Sequence, residues 1–265
     1  MNVAKNLVRV VLAGVLTVLV GTPMLAVICS TYLFGLVCAQ VGRKDVLDRM
    51  IAWNTRFAGN MAQVYWARQL LNLVRVRVAT RGDVNWSASH VLCANHASIF
   101  DILALIAVIP PPFRFVAKRE LLKWPIIGWA LYPAGQIVIN RSDRSGAVRK
   151  LEEEASRKID GQVIFFVEGT RSRTGELLPF KKGAFYFSIE HGLPVLPTAI
   201  TGSFGVLAKV PWWRLHPGRN IEIVFSKELD PPRVVGGDVR HDDVQQLLDA
   251  TREQIAAALE ERRAA

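Results

Sequence analysis

Hydrophobic and polar positions divide the chain into three textures. No charge occurs between Arg9 and Arg43, and residues 10–42 are dominated by Val, Leu, Ala, Ile and Gly. One straight helix of that length would extend roughly 50 Å, against a hydrocarbon layer of about 30 Å. Gly21-Thr22-Pro23 also interrupts it near the middle, where proline kinks or breaks a helix. The segment reads as a membrane anchor in one of two forms: a single tilted span, or a hairpin of helices over 10–20 and 24–39 that dips into one leaflet. It is long for a signal-peptide core and no A-x-A site follows, so the anchor reads as retained. Lys5 and Arg9 precede it, and Arg43, Lys44, Arg49 and Arg56 follow. That distribution gives no clear orientation beyond a slight preference for both ends on the cytoplasmic side.

Residues 45–70 form the second texture. Val46, Leu47, Met50, Ile51, Trp53, Phe57, Met61, Val64 and Tyr65 recur at helical spacing, interrupted by Arg49, Arg56 and Arg68. This stripe predicts an amphipathic helix, lying on a membrane or packed on the rest of the chain; packing is the commoner use.

From about residue 72 short β-type runs alternate with helical stretches. The expected strands are Leu73–Ala79, His90–Ala94, Arg114–Ala117, Gln136–Ile139, Gln162–Val167, Val195–Thr201 and Ile221–Ser226. The expected helices are 99–108, 119–131, 144–158, 181–191 and 242–262. This alternation predicts an α/β domain, a mixed sheet flanked by helices, with Val163–Val167 as a buried central strand. The expected division is a membrane-associated helical segment over 1–70 and an α/β domain over 71–265.

Composition narrows the classes. The 265 residues are 51% hydrophobic, which excludes a wholly disordered chain, and no heptad or G-X-Y period runs through them. Three cysteines, Cys29, Cys38 and Cys93, offer neither a disulfide framework nor zinc spacing. The formal net charge of +10 suits nucleic acid or anionic lipids and substrates. With no zinc spacing or RNA-recognition motif, and with basic residues clustered after strands, the nucleic-acid alternative is the weaker.

Four constellations carry candidate chemistry. Asn95-His96-Ala97-Ser98-Ile99-Phe100-Asp101 follows an apolar strand and opens a helix; Ser98 with Asp101 three residues on is a capping signature. His96 then lies at the strand end and Asp101 in the first helical turn, close enough across the turn to orient the imidazole. A capping box beside a structural histidine gives the same pattern. Val167-Glu168-Gly169-Thr170-Arg171-Ser172-Arg173 puts a carboxylate, a glycine and two arginines at another strand end, as an anion site would need. Lys118-Arg119, followed by Pro125-Ile126-Ile127-Gly128, and Asn140-Arg141 place further cations after strands. Leu193-Pro194-Val195-Leu196-Pro197 leads into the next strand.

In that order the blocks resemble the membrane-associated 1-acyl-glycerol-3-phosphate acyltransferase family, through N-H-x-S-x-x-D, a basic residue with Pro-x-x-Gly, F-x-E-G-T-R with Phe166 as the aromatic, and a proline-rich strand entry. The resemblance covers residues 90–200. It implies that His96 is the base and Asp101 its orienting partner. It makes Arg171 the main phosphate ligand, with Glu168, Gly169 and Thr170 shaping or contacting the same pocket and Lys118 and Arg141 as further basic ligands. The implied reaction moves a fatty acyl group from acyl-CoA or acyl-carrier protein to the sn-2 hydroxyl of a lysophosphatidate at a membrane, on the cytoplasmic face of the inner membrane. It implies no cofactor, no metal and no nucleic-acid partner. Cys93 reads as a buried small hydrophobe rather than a nucleophile. Oxyanion donors are expected among the amides near Ser98–Ile99 or in the Glu168–Arg171 turn. Asn140 stands where many relatives carry Asp, which bears on acceptor choice.

Three alternatives remain beside this reading. Another acceptor is the first: a lyso-ornithine lipid, another lysophospholipid or glycerol 3-phosphate. A thioester or ester hydrolase is the second, against which stands the absence of a G-x-S-x-G elbow. A non-catalytic membrane-surface protein is the third.

Overall fold

The computed structural model describes residues 36–53, 59–123, 135–140, 161–209, 214–234 and 239–264, with isolated positions at 11–12, 14–15, 26, 30, 33–34, 128 and 131. The elements are α1 (Lys44–Trp53), α2 (Gly59–Val74), β1 (Arg77–Arg81), β2 (Val91–Ala94), α3 (Ile99–Val108), β3 (Phe113–Lys118), β4 (Ile137–Ile139), β5 (Gln162–Phe166), α4 (Gly183–His191), β6 (Val195–Thr201), the short α5 (Ser203–Val206), β7 (Asn220–Phe225) and α6 (His241–Ala264). All seven expected strands are present. The first is shifted, because Leu73 and Val74 finish α2 and strand β1 starts at Arg77. Arg75 adopts φ 56°, which ends the helix and redirects the chain. The amphipathic stripe over 45–70 falls on two helices, α1 and α2. Of the expected helix over 119–131, Arg119–Lys123 forms a 3-10 turn. The helix expected over 144–158 and most of the anchor segment lie outside the described residues. Among the described residues no helix is long and apolar enough to cross a membrane.

The strands form one mixed sheet in the order β1-β7-β6-β2-β5-β3-β4. Only the β6–β7 pairing is antiparallel. Strands β6, β2, β5, β3 and β4 are therefore parallel, and their carboxyl ends share one edge. In open α/β sheets that edge is the usual place for a ligand.

Both faces of the sheet are covered, and a period of two sorts the side chains. Leu92, Ala94 and Ile164 join Phe100, Leu105 and Ile106 of α3 and Ala67 and Leu71 of α2 on one face. Val91, Cys93, Val163 and Phe165 join Phe185 and Phe187 of α4 and Val244, Leu247 and Leu248 of α6 on the other. The packing alternative for the 45–70 stripe is what α2 displays: Val64, Ala67, Leu70, Leu71 and Val74 are buried in the first of these cores. The boundary expected at residues 70–71 falls inside this helix.

Candidate functional site

The site forms where β2 and β5 end side by side. Their register pairs Ala94 with Phe166, so the His96 turn and the Glu168 turn leave the sheet as neighbours. Ser98 caps α3 from an extended backbone (φ −146°, ψ 159°), with its hydroxyl accepting the Phe100 N–H and Asp101 returning the capping box. One carboxylate thus serves both the capping box and the His96 ring, so the two readings of this block do not exclude each other.

Asp101 is fully buried. Its Oδ2 accepts from His96 Nδ1 at 2.8 Å, Ala97 N at 2.7 Å and Ser98 N at 2.8 Å. An Nδ1–H donated to that oxygen leaves the lone pair on His96 Nε2. The imidazole stacks on Phe166, with centroids 3.9 Å apart and planes 19° apart. Its side chain is 12% exposed, whereas that of Asp101 is fully buried.

Both carboxylate oxygens of Glu168 are engaged by main-chain amides. The residue is 3% exposed, and its two oxygens accept the His96 N–H at 2.7 Å and the Leu178 N–H at 2.9 Å. Burial pushes its pKa up, the two amides oppose that shift, and the nearby Asp101 charge adds to it. Of the two roles expected for Glu168, shaping the pocket is the one its bonds support. Ser172 N–H donates to the His96 carbonyl at 2.7 Å, a second clamp between the turns. Gly169 takes φ 71°, a left-handed conformation that side chains disfavour, which accounts for a glycine between Glu168 and Thr170.

Thr170 and Arg171 follow at the mouth of the site. Lys209 Nζ donates to Thr170 Oγ1 at 3.0 Å and to the Arg171 carbonyl at 3.2 Å. Lys118 ends β3 on the same sheet edge, with its ammonium paired to Glu120 at 2.9 Å and half exposed. Arg141 lies outside the described residues; the strand before it, β4, is in place at the end of the sheet. Ser98 N–H is taken by Asp101 and Gly169 N–H by the Phe166 carbonyl. This narrows the candidate oxyanion amides to those of Ile99, Glu168, Thr170 and Arg171. Burial raises the thiol pKa of fully buried Cys93, which packs as a core residue. Among the described residues no group of three or more His, Cys, Asp and Glu side chains could hold a metal ion.

Three residues have roles that the sequence does not disclose. Asn95 is buried and bonds both main-chain groups of Ile200, with Nδ2 donating at 3.0 Å and Oδ1 accepting at 2.7 Å. Arg252 of α6 donates to the Leu178 carbonyl at 2.8 Å, supporting the amide that holds Glu168. Lys209 is the third; a lone cation after Phe204-Gly205-Val206-Leu207-Ala208 was its only signal.

Comparison with known proteins relates the chain to acyltransferases. The profile of a family described as acyltransferase matches residues 75–201. A 1-acyl-sn-glycerol-3-phosphate acyltransferase of Chlamydomonas reinhardtii is 34% identical over 170 residues, 64% of this chain and 48% of that protein. The 1-acyl-sn-glycerol-3-phosphate acyltransferase alpha of Mus musculus is 31% identical over 193 residues, 71% of this chain and 66% of that one. This chain therefore spans about half of the algal relative and about two thirds of the mouse relative. The crystal structure of the 1-acyl-sn-glycerophosphate (LPA) acyltransferase PlsC from Thermotoga maritima matches the fold with a TM-score of 0.65 at 22% identity, covering 96% of this chain and 98% of that one.

Proposed function

The chain belongs to the acyltransferase family, and from that premise we propose that it transfers a fatty acyl group from acyl-CoA or acyl-carrier protein to the sn-2 hydroxyl of 1-acyl-glycerol 3-phosphate, giving phosphatidate. The observation that carries this reading is the 2.8 Å bond from His96 Nδ1 to buried Asp101, set beside the arginine-bearing turn after β5. The algal and mouse relatives, both named 1-acyl-sn-glycerol-3-phosphate acyltransferases, support the choice of acceptor.

In the proposed reaction, His96 Nε2 takes the proton of the acceptor hydroxyl as its oxygen attacks the thioester carbonyl. The tetrahedral intermediate collapses with loss of the C–S bond, and the imidazolium returns the proton to the departing thiolate. Asp101 remains a carboxylate throughout and stabilises the imidazolium, as in a triad whose nucleophile is the substrate hydroxyl. Arg171 binds the acceptor phosphate, with Gly169 and Thr170 lining the same turn and Lys118 and Arg141 supplying further positive charge. No acyl-enzyme is required.

Membrane attachment, with the α/β domain on the cytoplasmic face, belongs to the same proposal. It draws on the uncharged run before Arg43 and on an exposed apolar surface. Leu33, Phe34, Val37 and Val41 are more than half exposed, as are Met61 and Tyr65 on the face of α2 turned away from the core.

The deciding experiment is an acyl-transfer assay in detergent micelles with lysophosphatidate and palmitoyl- or oleoyl-CoA. Wild type is expected to make phosphatidate, and His96→Ala to lower turnover by about 10²–10⁴. Free fatty acid without diacyl product would indicate a hydrolase. Product on a lyso-ornithine lipid, another lysophospholipid or glycerol 3-phosphate alone would move the acceptor. Equal product from wild type and variant would overturn the mechanism.

A further inference from the structure

The loop leaving α5 places Lys209 beyond residues 75–201, the part of the chain shared with the family profile. This loop is tied to both functional turns. Ser98 Oγ donates to the Leu207 carbonyl at 2.6 Å, and two residues on the Lys209 ammonium reaches Thr170 Oγ1 and the Arg171 carbonyl. Three cations, Arg171, Arg173 and Lys209, thereby gather at one turn. None of them is paired with a carboxylate among the described residues. Lost solvation, then the charges of Arg173 and Arg171, lower the Lys209 pKa. A bound anion would relieve that repulsion.

We infer that Lys209 is a further phosphate-binding residue of the acceptor site, and that it selects acceptors ending in a phosphomonoester over those ending in a phosphodiester. The inference rests on the acyl-transfer reading above. A phosphomonoester approaches a charge of −2 near neutral pH and presents three terminal oxygens. A phosphodiester carries one charge and two terminal oxygens. The attraction of a further cation scales with the charge of the anion, so Lys209 is worth more to the phosphomonoester than to the phosphodiester. An ammonium suits that place, being a compact charge with rotatable donors rather than a planar fork.

The test uses the full chain in detergent as wild type, Lys209→Gln and Lys209→Arg. Glycerol 3-phosphate is titrated calorimetrically, and steady-state rates are measured with lysophosphatidate and with lysophosphatidylglycerol. Lys209→Gln should weaken glycerol 3-phosphate binding and raise the lysophosphatidate KM by about tenfold. The kcat and the donor KM should stay within about twofold, and Lys209→Arg should recover most of the binding. The preference for lysophosphatidate over lysophosphatidylglycerol should fall with the charge. Unchanged glycerol 3-phosphate binding in a Lys209→Gln protein with a wild-type melting curve would overturn the assignment, as would equal losses on the two acceptors. Lys209-dependent glycerol 3-phosphate binding in a wild type that transfers no acyl group would leave Lys209 as a phosphate ligand and sink the acyl-transfer reading.

Discussion

Glu168 Oε1 accepts the main-chain N–H of His96 at 2.7 Å, so a residue of the second motif holds the backbone of the first motif's histidine. The other oxygen accepts from Leu178, whose carbonyl is held by Arg252. Ring orientation by Asp101 and backbone placement by Glu168 are thus separate constraints on one residue. They fail in different ways.

Glu168→Gln tests the backbone constraint. A carboxamide offers one acceptor oxygen where two amides need one each, and its NH2 group would face the other amide. The unpaired N–H should cost about 1–3 kcal/mol of stability. Displacing the His96 main chain should lower kcat by at least about tenfold, since small misplacements of a base are expensive. Urea unfolding and steady-state kinetics measure the two effects. Wild-type values in both would show that Glu168 does not position His96.

Asp101→Asn separates charge from geometry. All three donors converge on Oδ2, whereas Oδ1 is buried with no partner among the described residues. An asparagine can keep its oxygen in the Oδ2 place and put its nitrogen where Oδ1 was. The histidine tautomer then survives, but the charge that stabilises the imidazolium does not. The expected result is a kcat loss of about 10²-fold or more. Asp101→Ala removes the acceptor altogether and should lose more stability than Asp101→Asn. Equal melting temperatures for the two variants would count against the three-donor arrangement.

What was legible in the sequence follows from how far apart the interacting residues lie. Val163–Val167 could be read as a central strand because both faces of the sheet are covered, leaving a continuous apolar run. His96 and Asp101 could be paired because five residues across a helix start bring them together. Glu168 and His96 are 72 residues apart, and Lys209 and Thr170 are 39 apart. Both contacts depend on the pairing of β2 with β5 and on the path after β6, which no local pattern encodes. The end of α2 was misread for a related reason: Leu73 and Val74 are as apolar as a strand, and the left-handed turn at Arg75 leaves no mark on hydrophobic periodicity.

His191 supplies a pH prediction away from the site. It closes α4 with its ring stacked on Phe187 at 4.0 Å, and both ring nitrogens are shielded from solvent, with only the Phe187 backbone favouring the charged form. Burial lowers its pKa from the ordinary 6.5. The unfolded chain therefore takes up this proton more readily than the folded one. The site's contribution to stability is complete above the unfolded value of 6.5 and is lost as pH falls through the lower folded value. His191→Phe keeps the stack and removes the titration. Urea midpoints between about pH 7 and about pH 5 should fall less for the variant than for wild type. Parallel curves would remove His191 as the cause.

Asn95 should behave unlike the histidine beside it. The β2–β6 pairing ends at Ala94 with Thr198, and the chain then turns away to present His96. Beyond that point the Asn95 side chain takes the place of the missing ladder by bonding both main-chain groups of Ile200. Removing it in Asn95→Ala leaves two buried groups unpaired, at about 1–3 kcal/mol each. It also loosens the start of the turn that carries His96, the proposed base. His96→Ala, by contrast, removes a partly exposed ring while its backbone bonds to Glu168 and Ser172 persist. Both variants should lose kcat, but only Asn95→Ala should lose several kcal/mol in urea unfolding. An Asn95→Ala protein as stable as His96→Ala would mean that the β2–β6 edge is held by the ladder alone.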